Sequence, residues 1–314
     1  MRFVVNRFSS RCAGLVILAA LATSGVAAEP DAASRAGEDR WVPALALTSG
    51  FTIQDQKASV SSLDVTNGVP LRNPAKGDDV AVSPYVGGNV QLMTPAITAI
   101  PGHLRVFATG EILPTFAASR NIANEGNPSE FEFPSDPGQI PELAIKGQGS
   151  VTTAEIQTLA FGAAIGIAFP FEVRGYQLRL KPSAGWIRYE VAVEGAVLHA
   201  ICAGGGTLCR TDAIPPGFAR LIELRGSDSQ WFNGIGPGLE IEMDVHRSGS
   251  FGVSLFLDGH AYRVLGDRSV EFSDSATFTD PLGGPDTYVA NWSFEVDPWI
   301  YRAGLGVRFH WLGN

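Results

Sequence analysis

Large apolar side chains occupy every second position over several stretches of the chain, and small or polar residues fill the positions between them. The clearest run lies near the C-terminus, where one parity holds Trp299, Tyr301, Ala303, Leu305, Val307, Phe309 and Trp311. Period two is the geometry of a β-strand, because successive side chains point to opposite faces. The run is longer than the roughly five or six residues of a strand in a soluble sheet, and its aromatic ends are typical of a strand that crosses a bilayer.

The same alternation predicts eight strands separated by connections of two kinds. The strands lie near residues 42–54, 80–93, 103–116, 151–169, 176–195, 229–245, 251–265 and 289–311. Long polar segments at 55–79, 117–150, 196–228 and 266–288 alternate with short ones. Bacterial outer-membrane barrels have long outer loops and short periplasmic turns. We therefore predict an all-β fold, an antiparallel up-and-down transmembrane β-barrel of eight strands over residues 41–314.

The polar parity of these strands predicts what fills the barrel. Eight strands leave an interior just wide enough for side chains, and buried charges need partners of opposite sign. The alternative is that these residues form the solvated face of an ordinary antiparallel sheet. The predicted lumen network is Arg105, Glu111, Arg179, Lys181, Glu240, Glu242, Asp244, Asp258, His260, Arg302, Arg308 and His310.

Some residues fit this pattern poorly. Pro84, Pro182 and Pro237 fall inside predicted strands, where each removes a ladder hydrogen bond, so we expect bulges or strand ends there. The alternation also slips near Trp186 and Tyr189, which predicts a bulge in the fifth strand.

The first 28 residues differ from the rest of the chain. Three arginines precede an apolar stretch from Ala13 to Ala22 and small residues up to Ala28. This layout predicts a cleaved signal peptide at 1–28, followed by a short periplasmic segment at 29–40; an anchoring helix is the alternative. Removing three arginines takes the formal net charge from −9 to −12, so we expect no nucleic-acid partner.

Cys202 and Cys209 are the cysteines left after that cleavage. In an oxidising compartment they predict a local disulfide, with a metal pair as the weaker alternative. Asp274, Asp280 and Asp286 could ligate calcium, but their spacing matches no recognised calcium loop, and a solvated acidic loop is favoured. We expect no metal and no cofactor.

The chain resembles the small bacterial outer-membrane β-barrel proteins, the group of the OmpA membrane domain and OmpX. In that family the last strand carries an assembly signal, which Gly306, Phe309 and Trp311 match. Two departures are that Leu312-Gly313-Asn314 follow the final aromatic residue and that Gly304 stands at the expected polar position. The resemblance implies the cell outer membrane as location, and outer-membrane lipid, lipopolysaccharide and the barrel assembly machinery as partners.

Some barrels of this kind are enzymes that act on lipid A, and their deacylases use a His-x-Ser arrangement. His246-Arg247-Ser248 has these letters, but the segment falls in a predicted periplasmic turn. No catalytic residue is therefore expected. We predict a structural or surface-interaction role through four long extracellular loops and an unknown extracellular ligand. The alternatives are a narrow pore or carrier for small hydrophilic solutes and, less favoured, a lipid A-modifying enzyme.

Overall fold

The computed structural model of the 314-residue chain describes residues 40–66, 68–70, 75–97, 99, 103–116, 120–125, 149–202, 219–280 and 284–312. Over these residues, no helix is long and apolar enough to cross a membrane. The described strands are β1 (Val42–Asp64), β2 (Val69–Pro70), β3 (Ala75–Met93), β4 (Arg105–Pro114), β5 (Arg120–Glu125), β6 (Gly149–Val173), β7 (Tyr176–Cys202), β8 (Ala219–Ser248), β9 (Phe251–Leu265), β10 (Ser269–Asp280) and β11 (Gly284–Trp311).

Eight of the described strands pair antiparallel, each with the next, and close into a ring. The order is β1-β3-β4-β6-β7-β8-β9-β11, and β11 pairs back with β1. Outside this ring order, β2, β5 and β10 pair with β1, β6 and β11 respectively. The ring strands are the eight strands that the alternation predicts, so the antiparallel up-and-down barrel is confirmed.

The strands are tilted to the barrel axis. Pairing followed once around the ring from Val42, through Met93, Phe107, Gly166, Ser183 and Gly238, returns by His260 and Arg302 to Thr52 on β1. The path therefore climbs ten residues in one turn. Eight strands with this stagger tilt by about 40°, so each residue rises about 2.5 Å along the axis.

The outward face of the barrel changes character with height. We place the short-turn end of the barrel, where β1 begins at Val42, at the bottom. In the lower part of β1 the outward side chains Leu45, Leu47 and Phe51 are exposed and apolar. Above them Lys57 and Ser59 face outward, while Ala58 and Val60 on the opposite parity are buried at 4% exposure. The lower apolar band on β1 runs from Trp41 to Ile53, about 30 Å, which is the height of a lipid-facing belt. We call the part of the barrel above this belt the extension.

The extension corrects the predicted strand ends. β1, β7, β8 and β11 continue well beyond their predicted upper ends at residues 54, 195, 229 and 289. Strand therefore makes up about half or more of the predicted long loops 55–79, 196–228 and 266–288, whereas in 117–150 the described strand residues are 120–125, 149 and 150. On β1 and β8 the prediction ended the strand where its outward side chains become polar, but water replaces lipid at that height and the strand continues.

The three prolines lie inside strands, with outward-facing rings, where ladders are interrupted. Pairs between β6 and β7 are missing around Pro182, and pairs between β8 and β9 are missing around Pro237. Pro84 lies above Gly88, where the β3–β4 ladder ends. The backbone N–H groups that the prolines lack therefore fall at positions where no partner strand would accept a hydrogen bond from them.

The predicted bulge in β7 is wrong. Trp186 faces outward and Tyr189 inward, in unbroken alternation. The irregularity lies on β6, between Ile156 and Ala160, which pair with Val191 and Tyr189. Two extra residues on β6 explain the shift, because β7 advances two residues while β6 advances four.

Candidate functional site: the filled lumen and the outer groove

A charged layer fills the lumen near the short-turn end of the barrel. Glu242 on β8 is its centre, with no exposed side-chain surface. Its carboxylate lies 2.5 Å from Lys181 Nζ, 2.5 Å from Arg308 Nη1 and 2.9 Å from Arg179 Nη2. His310 Nε2 lies 2.7 Å from the same carboxylate. One buried anion thus contacts four nitrogen-bearing side chains from β7 and β11.

Strand register explains this meeting. Arg179 pairs directly with Glu242 across the β7–β8 ladder, and Lys181 pairs with Glu240. Opposite charges at directly paired positions lie within contact distance. Glu240 also binds Lys181 at 2.8 Å, and it receives a 2.9 Å hydrogen bond from Arg308. Asp244, two residues further down β8, binds Arg179.

The charges of this layer balance. Arg179, Lys181 and Arg308 supply three cations, and Glu240, Glu242 and Asp244 supply three carboxylates. Charges removed from water are tolerated when they are paired and hydrogen-bonded. Ser254 Oγ donates to Glu242 at 2.7 Å, and Lys181 donates to Gln91 at 2.9 Å. The layer is therefore a neutral, packed partition.

Three groups of this layer could hold a metal ion by geometry alone. Their ligand atoms, on Glu242, Asp244 and His310, lie within 4.8 Å of one another. However, Arg179 and Lys181 already neutralise this centre, and a divalent cation would be repelled by them. The residues present do not favour a metal here.

A second polar layer lies higher in the lumen, and on β11 its Arg302 is six residues above Arg308. Arg302 on β11 binds Glu111 on β4, and it lies 3.3 Å from Asp258 on β9. His260 Nε2 lies 3.4 Å from Asp258, and the His260 ring stacks on Tyr262 at a centroid distance of 5.3 Å. Arg302 is thus held between two carboxylates over an aromatic ring, 5.8 Å from the Tyr262 centroid.

The sequence predicts all twelve of these lumen residues, and the structure places each on the inward face of its strand. Arg105 lies half-buried on β4, two residues below the buried Phe107. The other eleven form the two contact clusters just described. Which residues share a cluster depends on register around the tilted ring, and the sequence pattern does not contain that information.

Above the polar layers, an apolar core fills the lumen of the extension. Tyr189 begins it and exchanges hydrogen bonds of 2.8 and 3.0 Å with Gln54. The phenyl ring of Phe272 stacks on Trp292 at 5.1 Å. The sequence prediction missed this core, although the alternation continues there with its polarity reversed. Its fully buried members include Val191, Val193, Phe232, Phe294, Val296 and Trp292.

The other sequence candidates do not join a site in the described part of the chain. His246 and Ser248 are exposed at the lower end of β8, in the hairpin to β9. Asp274 lies on β10, where it accepts a 3.0 Å hydrogen bond from the backbone N–H of Arg225. The Cys202 side chain and all of Cys209 lie outside the described residues, as do the signal segment and most of 29–40. The Asp280 side chain lies outside them as well.

The residues of the predicted assembly signal lie on the closing strand β11. Phe309 faces outward and stacks on Phe251 at 6.1 Å, and Trp311 meets the same ring edge-on at 6.3 Å. Gly306 faces inward, where a side chain would meet the Phe256 ring and the Leu47 carbonyl. The role of the three residues in assembly stays a prediction.

A polar groove of about 610 Å³ lies on the outer face of the extension, across β3, β1, β11 and β10. We call it the outer groove. One paired row crosses it, from Lys76 through Ser59 and Ser293 to Glu271. A second row holds Ser61, Asn291 and Ser273. Lys76 and Glu271 thus lie at opposite ends of the groove, and hydroxyl and amide side chains lie between them.

Comparison with known proteins gives fold-level likenesses only. No protein-family model and no curated protein matches the chain. Two solved structures of Ail, the attachment invasion locus protein of Yersinia pestis, align at 10% identity with TM-scores of 0.24 and 0.25. They cover 83% of this chain and 98% and 97% of Ail; one is a complex with the heparin analogue sucrose octasulfate. A Pseudomonas aeruginosa FadL homologue aligns at 10% identity and a TM-score of 0.21, covering 88% and 91%.

The strand pairing and the apolar belt identify the type of barrel. A closed ring leaves no unpaired edge within the belt, which is what a strand protein needs in hydrocarbon. The chain is an antiparallel transmembrane β-barrel of the outer-membrane type.

Proposed function

We propose that this protein is a non-conducting barrel of the cell outer membrane, with a structural or surface-interaction role. The barrel anchors the extension, and the extension holds the outer groove and the long connections beyond the outer leaflet. The observation that carries the proposal is the filled lumen.

Three successive layers support the absence of conduction. Lys181, Glu242 and Arg308 have no exposed side-chain surface in the lowest layer, and Arg302 is 5% exposed in the middle one. The apolar core then continues into the extension, where Phe294 is fully buried. A carrier of hydrophilic solutes would have to open all of these layers, and the apolar one offers a solute no hydrogen-bonding partner.

The extension supports a role at the cell surface. On β1 it adds eleven residues above Ile53, which corresponds to about 25–30 Å of height. Its outward face is polar, and its core is apolar like that of a soluble domain. Rigid scaffolds of this kind commonly carry binding surfaces at their far end.

Conductance in planar bilayers tests the proposal directly. We expect no unitary current from the refolded protein, with a water-filled porin as positive control. Reproducible conductance steps from wild-type protein would favour the pore alternative and refute a filled lumen.

Cysteine labelling of intact cells tests the location. In a background with Cys202 and Cys209 replaced by serine, Ser61→Cys in the outer groove should react with a membrane-impermeant maleimide. The matched variant Leu45→Cys, in the apolar belt, should stay unlabelled. Equal labelling of both positions would contradict the assigned belt.

A lipid A-modifying activity remains the enzymatic alternative. The exposed His246 and Ser248 lie at the short-turn end, away from the outer leaflet. Mass analysis of lipid A from cells with and without the protein should show no difference. A change of acyl chain or headgroup mass would overturn the non-enzymatic proposal.

The proposed partners follow from this placement. Outer-membrane lipid and lipopolysaccharide would surround the belt, the barrel assembly machinery would receive β11 with its terminal signal, and the outer groove would take an extracellular ligand not yet identified. The groove suits a polar ligand because its seven polar side chains make no hydrogen bond or ion pair within the described part of the chain.

A further inference from the structure

Two arginines, one on β7 and one on β9, lie at the upper edge of the apolar belt. Going up the outward face of β7, Leu178, Leu180, Ala184 and Trp186 precede Arg188. Going up β9, the outward residues from Phe251 to Ala261 are apolar or glycine, and Arg263 follows them. Each arginine is therefore the first outward charge above the belt on its strand.

The two arginines flank the same short stretch of β8. Arg188 pairs with Asn233, and Arg263 pairs with Ile235, two residues below Asn233 on the same face of β8. Strands lie about 4.8 Å apart, so the two Cα atoms are about 12 Å from each other across β8. Because the strands tilt, directly paired positions climb from β7 through β8 to β9. The two-residue offset downward on β8 therefore brings Arg188 and Arg263 to nearly the same height.

Neither guanidinium has a carboxylate partner among the described residues, and both side chains are exposed. Arg188 Cζ lies 4.9 Å from the centroid of the Trp231 ring, which in turn stacks on Phe161 at 6.3 Å. This contact orients the guanidinium without neutralising it, because an aromatic face attracts a cation and leaves its donors free. Partly exposed indoles of Trp186, Trp231 and Trp299 surround the pair.

The first outward charges above the belt differ on the other side of the barrel. On β1 and β3 the first outward charges above the apolar residues are Asp55 and Asp78. The edge therefore presents acids on one side and free arginines on the other. Such an arrangement favours an anionic ligand against β7, β8 and β9.

We propose that Arg188 and Arg263, with Asn233 between them, form a binding site for the phosphate of an anionic lipid headgroup in the outer leaflet. This inference rests on the proposed outer-membrane location and deepens it. Arginine matches phosphate oxygens with paired N–H donors, and the Asn233 amide adds a donor. The indoles lie at the interface where headgroups meet acyl chains. The lipid is held by its phosphate on the arginines and by its chains along the apolar belt.

Lipid titration of the refolded full-length mature protein tests the site. The protein in a zwitterionic detergent is titrated with diphosphorylated lipid A and followed by tryptophan fluorescence. Each of Arg188→Gln and Arg263→Gln should weaken binding about fivefold, and the double variant about 25-fold. Arg225→Gln is the control for position, because Arg225 lies outward on β8 eight residues above Asn233 and is ion-paired with Glu223. It should bind like wild type.

Two further probes identify the source of the phosphate. Lipid A stripped of its phosphates should bind wild-type protein as weakly as intact lipid A binds the double variant. Millimolar inorganic phosphate should not displace lipid A; displacement would assign the site to the free ion and overturn the lipid proposal. A double variant that binds within about twofold of wild type would overturn the site itself.

Failure of the site and failure of the barrel proposal give different results. Heat-modifiable migration of every variant on gels reports whether the barrel is folded in detergent. A folded barrel without arginine-dependent binding sinks the phosphate site alone. Wild-type protein that lacks heat modifiability and is recovered outside the membrane sinks both.

Discussion

Glu242 offers a direct measure of how much the charged layer contributes to stability. Its buried carboxylate faces Arg179, Lys181 and Arg308, and the layer balances three cations with three carboxylates. Glu242→Gln keeps the shape but leaves one cation without a counter-charge. Removing one partner from a buried pair costs about 3–5 kcal/mol, because the remaining charge is buried unpaired. We expect a loss of that size in the free energy of unfolding.

The assay is equilibrium unfolding by guanidinium in detergent micelles, followed by gel migration without boiling. Glu295→Gln is the matched control, because Glu295 makes a 3.1 Å ion pair with Arg268 while 49% exposed, and we expect it to cost at most about 1 kcal/mol. Lys181→Met combined with Glu242→Gln restores the balance of charge. The double variant should regain about 1–3 kcal/mol relative to Glu242→Gln alone. A loss below about 1 kcal/mol for Glu242→Gln, or a double variant no more stable than the single, would refute the reasoning.

Two further predictions concern the extension and the closing strand. Phe294→Ala removes a fully buried ring from the apolar core, so we expect it to cost about 3–5 kcal/mol in the same unfolding assay. An effect below about 1 kcal/mol would mean that the extension has no packed core. Phe309→Ala combined with Trp311→Ala should slow the appearance of the heat-modifiable form in cells, if these residues act as an assembly signal. Phe51→Ala, which removes an equally lipid-facing ring from β1, should not slow it. Equal delays would mean that any lost lipid-facing ring slows assembly and that Phe309 and Trp311 are not a specific signal.

The barrel was predictable from the sequence because lipid imposes a long and simple pattern. On β11, apolar residues from Trp299 to Trp311 must face hydrocarbon, and small or polar ones must face the narrow lumen. The twelve lumen residues follow from parity alone. Their partners do not, because Arg302 meets Glu111 only after the ten-residue climb of the pairing around the ring sets the relative heights of β4 and β11.

The extension was missed for a physical reason. Ala58 and Val60 keep the same period as the residues below them, but in the extension it is the inward parity that is apolar. A lipid-facing strand is recognised by apolar side chains on its outward parity. This part of β1 has polar ones there, so the pattern predicts a polar loop. The pairing of Arg188 and Arg263 across β8 was also hidden, since each is an ordinary polar strand end until register places them side by side.

Outward side chains match the solvent around them, and that solvent changes from lipid to water along each strand. Within the belt the outside is hydrocarbon, so apolar side chains face outward and paired charges such as Lys181 and Glu242 fill the lumen. Above the belt the outside is water, so polar side chains face outward and burial of Phe294 and Val191 supplies the stability of a soluble core. A water-filled channel would remove that core and leave the extension as a tall wall with two wetted faces. The packed lumen therefore stabilises the strands above the membrane, and the proposed surface role and the proposed absence of conduction both draw on this packing.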